Sequence, residues 1–272
     1  MTALAPIGIG KRLRAKLRQI KALPEAAIAR LLSRTPRARH FSGAYRTRAA
    51  AQQAVIRRGG NGYDDAAITD VSYELMCQRT AWDYPVMFWL QRLLPESDAL
   101  IDAGGHFGTK YIAFRDLIDL RKVRWNVYDL PAIIQAARRK QGMGSLPLDI
   151  VFYDEVSTLP AAQILLCSGL LQYQDSAFGD FVAALPARPD HIILNKVAQR
   201  EGPETYTIER IGSGCVPYRI RERRQFEAEI EGLGYDVVES WDIPDLGHVI
   251  STHPWLGRSN SRGYILRCKT LR

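Results

Sequence analysis

Long apolar runs are missing from this chain. No stretch approaches the roughly eighteen uninterrupted apolar residues of a membrane-spanning helix. Cysteine is scarce, and Cys77, Cys167, Cys215 and Cys268 form neither a CxxC pair nor a Cys/His group with zinc-ligand spacing. No metal is therefore expected, and the four read as separate core thiols in a reducing cytoplasm. Acid is nearly absent from the first 48 residues, where twelve Lys and Arg face a single Glu25. That segment carries +11 of a formal net charge of +8, leaving the rest of the chain at −3. No apolar stretch follows the basic N-terminus, so a secretory signal is not expected. There is no internal repeat and no low-complexity segment.

What is present is enough apolar material for a sizeable core, 46% of 272 residues, which fits one large domain with attachments. Ile9, Leu13, Leu17, Ile20 and Leu23 recur at helical spacing between Lys and Arg, a basic amphipathic helix suited to an anionic membrane surface or to a solvated cap. Pro24 opens a second predicted helix, Glu25 to Leu32. Three regions follow from this texture: a basic arm over 1–40, a helical cap over 41–95, and an α/β core over 96–272. The cap is read from helices over Arg46–Ile56, Ile68–Thr80 and Tyr84–Leu94. In the core, aliphatic strands at Ala99–Ala103, Val123–Tyr128, Asp149–Tyr153, Gln163–Cys167, His191–Leu194, Tyr235–Trp241 and Arg262–Arg267 alternate with helical segments. That alternation predicts an open, mostly parallel sheet with helices on both faces, a Rossmann-like fold.

In such a sheet the ligand lies beyond the carboxyl ends of the strands. The first strand ends in Asp102 and opens into Gly104-Gly105-His106-Phe107-Gly108. A dinucleotide fingerprint GxGxxG would need glycine where Ala103 stands, and it has no use for an acid at Asp102, because pyrophosphate is anionic. S-adenosylmethionine lacks phosphate and carries an ammonium and a sulfonium, so an acid suits it electrostatically. Its usual pattern, acid-x-G-x-G-x-G, is met by Asp102, Gly104 and Gly108, with His106 at the middle position and the glycine moved to Gly105. Asp129, closing the next strand, is placed to accept ribose hydroxyls and fits either nucleoside cofactor. Asp154 ends the third strand near an adenine contact, and Ser168 ends the fourth. The Asn/Asp-Pro-Pro-aromatic turn of base-modifying methyltransferases is absent there.

Several segments together, FSGAY (41–45), GYD (62–64), LIDAGGHFGT (100–109), VYDLP (127–131), SGLLQY (168–173), VPYRI (216–220) and GYDVVESW (234–241), resemble a family of class I methyltransferases found in bacterial surface-polysaccharide and related biosynthetic loci. The resemblance covers roughly 41–267 and implies the S-adenosylmethionine fold and cofactor without supplying an acceptor. Arg46-Thr47-Arg48 departs from the aromatic and acid that commonly follow FxGxY in that family.

A hydroxyl acceptor benefits from a general base, for which His is the usual choice. His248 and His253 lie in the irregular segment LGHVISTHPWLGRS between two late strands and are the base candidates; Tyr218 and Tyr173 are candidates to line the pocket. His40 and His191 read as structural or exposed. Arg219, Arg221, Arg223 and Arg224 read as the solvated start of a helix or as a phosphate contact. The sequence thus predicts methyl transfer to oxygen of a sugar, glycan or small metabolite by a cytoplasmic protein with a possible membrane-contacting arm. Three competing readings remain open: an RNA methyltransferase using the arm, an NAD-binding oxidoreductase, and a non-catalytic module on the same fold.

Overall fold

The computed structural model describes residues 23–33, 35, 39–59, 73–212 and 214–270. The predicted helix over 9–23 falls outside these residues except for Leu23, and the one over 68–80 does so over 68–72; of its described part only Tyr73–Met76 is helical. Residues 23–32 are helical, as Pro24 and the apolar spacing predict.

The core sheet is built from β2 (Ala99–Ala103), β3 (Arg124–Tyr128), β4 (Ile150–Tyr153), β5 (Ile164–Ser168), β6 (His191–Arg200), β9 (Tyr235–Ile243) and β10 (Asn260–Cys268). Their spatial order is β4-β3-β2-β5-β6-β10-β9, and β10 alone in that order runs antiparallel to its neighbours. The order turns back between β2 and β5, the position where open α/β sheets bind ligands.

Alternation along the strands decides which helix covers which face. Leu100, Trp125, Val127, Leu166 and Ile193 pack with α3 (Tyr84–Leu93), α4 (Thr109–Phe114) and α5 (Pro131–Gly142). Ile101, Ala103, Leu165, Cys167 and Leu194 pack on the other face with α6 (Phe178–Ala183) and α7 (Arg223–Gly232). Local chemistry starts these helices: Pro131 opens α5, and the Glu222 carboxylate accepts from the amides of Arg224 and Gln225 to cap α7.

A second, antiparallel layer stands beyond the core. The strand β6 overruns the parallel sheet, and its last residues pair with β8 (Gly214–Glu222) at Gln199↔Arg221 and Arg200↔Glu222. The strand β8 forms a hairpin with β7 (Thr205–Ile211), and β1 (Phe41–Tyr45) adds to β7. Next come α1 (Arg48–Ile56), whose first turn is capped by the Thr47 hydroxyl, and the short α2 (Tyr73–Met76).

This layer corrects three expectations. The region 41–95, read as helical from Arg46 on, begins with a strand at Phe41–Tyr45 that was not expected, because FSGAY adds to an edge that only the β7–β8 hairpin creates. The strand at His191 is ten residues long, not four. Arg219 and Arg221 are not a helix start; they lie in β8, and Arg221 is fully buried under α7 with its guanidinium over the Phe226 ring. Among the described residues no helix is long and apolar enough to cross a membrane.

Candidate functional site

The glycine loop leaves β2 through a left-handed turn at Gly104 (φ 73°), His106 (φ 55°) and Gly108 (φ 76°). Glycine is required at the middle of it. A Cβ on Gly105 would stand 2.6 Å from Asp102 Oδ2 and 2.9 Å from the Asp102 carbonyl oxygen. The loop is tied from within. The Gly104 amide donates to the Tyr128 carbonyl at 2.8 Å, and the His106 amide donates to Asp129 Oδ2 at 2.9 Å. The amides of Gly108 and Thr109 both donate to the Gly105 carbonyl, at 2.9 and 3.2 Å.

The two acids differ in position. Asp102 lies beneath the loop, 1% exposed, accepting from Trp125 Nε1 at 3.1 Å. Burial pushes its carboxyl up to about 7, opposed by that bond and by Lys110. Any influence it has on a ligand is through charge rather than contact. Asp129 is partly exposed at the end of β3, where its Oδ1 accepts from the Leu130 amide at 2.7 Å. Burial raises it to about 6, against the two backbone donors. Each oxygen accepts one amide and keeps a lone pair for a ribose hydroxyl.

Asp154, beyond β4, is paired with Arg138 at 3.4 Å, and the Ser168 hydroxyl at the end of β5 lies 3.4 Å from Asn195 Nδ2. The His106 ring is buried against Phe107, with centroids 4.1 Å apart. Behind the loop, Lys110 and Asp83 form a buried ion pair at 2.7 Å. The other Asp83 oxygen accepts from the Thr80 amide and hydroxyl, so the carboxylate is fully satisfied and joins the start of α3 to the start of α4.

A cavity of about 330 Å³ lies between the core sheet and the antiparallel layer. One wall is aromatic: Phe41 stacks on His248 at 3.6 Å and 10°, and Tyr218 meets both edge-on. The other wall is polar. Glu209 receives the Tyr173 hydroxyl at 2.6 Å and lies 3.0 Å from His40 Nε2. Lys196 and Gln172 complete it. The segment between β9 and β10 reaches over the cavity and is fastened to β1, with the Gly43 amide on the Thr252 hydroxyl and the Ser251 hydroxyl on the Phe41 carbonyl.

Of the sequence candidates, Tyr218, Tyr173 and His248 are brought together here. Burial lowers His248 to about 4, so its imidazole is neutral and weakly basic, and its Nε2 is buried without a hydrogen-bond partner. His253 does not join them; its Nδ1 lies 2.9 Å from the Thr252 hydroxyl and its ring packs on Trp255. Sequence reasoning passed over Lys196, Glu209 and Phe41 and set His40 aside as arm. The one legible signal was Lys196, a lone charge in the middle of an aliphatic strand.

The chain matches no family model and no curated protein. Among solved structures it is similar to the glycopeptide N-methyltransferase MtfA complexed with S-adenosylmethionine, at 13% identity over 69% of this chain and 94% of that one, with a TM-score of 0.47. Burkholderia thailandensis 1,6-didemethyltoxoflavin-N1-methyltransferase shares 18% identity over 81% of this chain and 88% of that one, TM-score 0.45. The amino pentose methyltransferase CalS10 from Micromonospora echinaspora shares 14% over 72% and 95%, TM-score 0.43.

Proposed function

We propose that this protein is an S-adenosylmethionine-dependent methyltransferase acting on a hydroxyl oxygen of a sugar or other small metabolite. The observation that carries the reading is the internal hydrogen bonding of the glycine loop. A pyrophosphate needs free backbone amides pointing at it. Here four of the loop's amides, those of Gly104, His106, Gly108 and Thr109, are spent inside the protein, leaving only those of Gly105 and Phe107, and Asp102 lies beneath them. That suits a nucleoside without phosphate and disfavours NAD.

Asp129 would hold the ribose, with Asp154 towards the base and the loop at Gly104 to Gly108 along the methionine part. When bound, the cofactor supplies an activated methyl whose sulfonium leaves readily. The protein's task is to bring the acceptor oxygen in line and exclude water, which the aromatic wall and the segment over the cavity are built to do. The helix over 23–32 turns Leu23, Ile28 and Leu31 outward, and with the basic residues before it we assign the arm to peripheral contact with an anionic membrane.

Calorimetric titration with S-adenosylhomocysteine, with NAD as control, tests the cofactor. Micromolar binding of the former alone is expected, and Asp129→Ala should weaken it at least about tenfold by removing a charged acceptor. Binding of NAD instead would make the protein a dehydrogenase. Binding of neither would leave a glycine turn without a ligand.

A further inference from the structure

Lys196 breaks the aliphatic strand HIILNKVAQR, and the backbone yields to place it. Across the β6–β10 ladder, Leu194 opposes Tyr264 and Val197 opposes Arg262, so Asn195 and Lys196 together face the single Gly263. This is a bulge, which bends a strand and re-aims a side chain. Lys196 takes φ 60° in it, a left-handed conformation that costs a residue with a Cβ about 1 kcal/mol or more.

The strain directs the lysine off the sheet and into the cavity described above. Room is made by Gly169, just beyond β5: a Cβ there would lie 3.1 Å from Lys196 Cε and 3.2 Å from Nζ. The ammonium has no ion pair or hydrogen bond among the described residues. The nearby acids are committed elsewhere, Asp83 to Lys110, Asp102 to Trp125, and Glu209 to His40 and Tyr173. Asp245 and His248 stand at the cavity rim and wall. Burial, with Lys110 nearby, lowers Lys196 to about 8, partly offset by Asp83 and Asp102. A substantial fraction is therefore the neutral amine near pH 8.

We propose, resting on the methyltransferase reading, that Lys196 is the catalytic base and that the cavity takes a hydroxyl acceptor whose proton passes to Nζ. The acceptor oxygen attacks the methyl carbon as the carbon–sulfur bond breaks, and the electron pair goes to sulfur, leaving neutral S-adenosylhomocysteine. The hydroxyl proton moves to Nζ, and the resulting ammonium returns it to solvent. No other reactant is needed.

The test uses the full chain with its lysines reductively ¹³C-methylated. By NMR, the resonance missing from Lys196→Met should titrate near pH 8, while surface lysines titrate near about 10.4. On the unmethylated chain, salicylaldehyde, an aromatic hydroxyl probe, with cyanoborohydride at neutral pH should label Lys196 at least about tenfold faster than any other lysine, because imine formation needs the neutral primary amine. Lys196→Met should bind S-adenosylhomocysteine within about twofold of wild type, and Lys196→Arg, which stays charged, should not restore transfer of tritiated methyl to hydroxyl compounds.

A titration with the surface lysines, a tenfold loss of cofactor affinity in Lys196→Met, or rescue by arginine would each overturn the proposal. A wild-type chain that binds no S-adenosylhomocysteine defeats the methyltransferase reading instead, while the titration and labelling still report on Lys196.

Discussion

Asp102→Asn isolates the cost of keeping a carboxyl under the glycine loop. In the folded chain this acid is raised from an ordinary 3.8 to about 7, chiefly by burial. Folding therefore holds a proton that the unfolded chain has released, and stability falls as pH rises from the unfolded value towards the folded one. Between pH 5 and pH 8 that one group removes about 2.5 kcal/mol, at roughly 1.4 kcal/mol for each pH unit below 7. Asparagine is nearly isosteric, keeps an oxygen for Trp125 Nε1, and does not ionise. Its amide hydrogens lack partners beneath the loop, which sets a pH-independent penalty of about 1–3 kcal/mol. Urea unfolding of both proteins at several pH values separates the two effects. The stability of Asp102→Asn relative to wild type should rise by about 2.5 kcal/mol between pH 5 and pH 8. A difference that stays flat over that range would show that Asp102 ionises as a normal carboxyl and that the loop does not bury it.

The other expectations concern both halves of the site. Gly105→Ala should destabilise the fold by about 2 kcal/mol in thermal unfolding, since the new Cβ meets the Asp102 carbonyl, which cannot swing aside; wild-type stability would mean the loop is looser than described. Glu209→Gln should lower the titration midpoint of His40, because the Glu209 hydrogen bond is what raises it. The stability from that pair is present below the ordinary histidine value near pH 6.5 and is lost as pH rises through the raised one, so an unchanged His40 NMR midpoint would refute the contact. His248, lowered to about 4, should show no imidazole titration between pH 5.5 and pH 8, and a midpoint near about 6.5 would mean that it is solvated rather than stacked on Phe41. Removal of residues 1–22 should abolish binding to anionic vesicles and leave the body folded, because the helix over 23–32 is held by Ala26, Ala29 and the Arg30 contacts to Thr252 and Trp255. Persistent vesicle binding would assign the membrane contact elsewhere.

The sequence alone determined the sheet and the glycine loop, since both are local. Period-two and period-3.6 patterning marks strands and helices wherever a buried face repeats, and Asp102, the glycines and Asp129 sit at strand ends that the pattern locates. The Pro131 start of α5 was readable for the same reason. The cavity was not readable, because its parts are far apart in the chain. Phe41 meets His248 only because β1 adds to a hairpin that itself leans on an overlong β6. Arg221 looks like a surface charge until β8 is placed against the sheet and α7 covers it. Lys196 shows the division clearly: its oddness is visible in the strand, but its direction is fixed by a bulge opposite Gly263 and by the space over Gly169. Short-range periodicity fixed the parallel strands and the helices between them. Only tertiary packing, where strand register and burial are decided jointly by distant residues, settled which charges face water and which face the pocket.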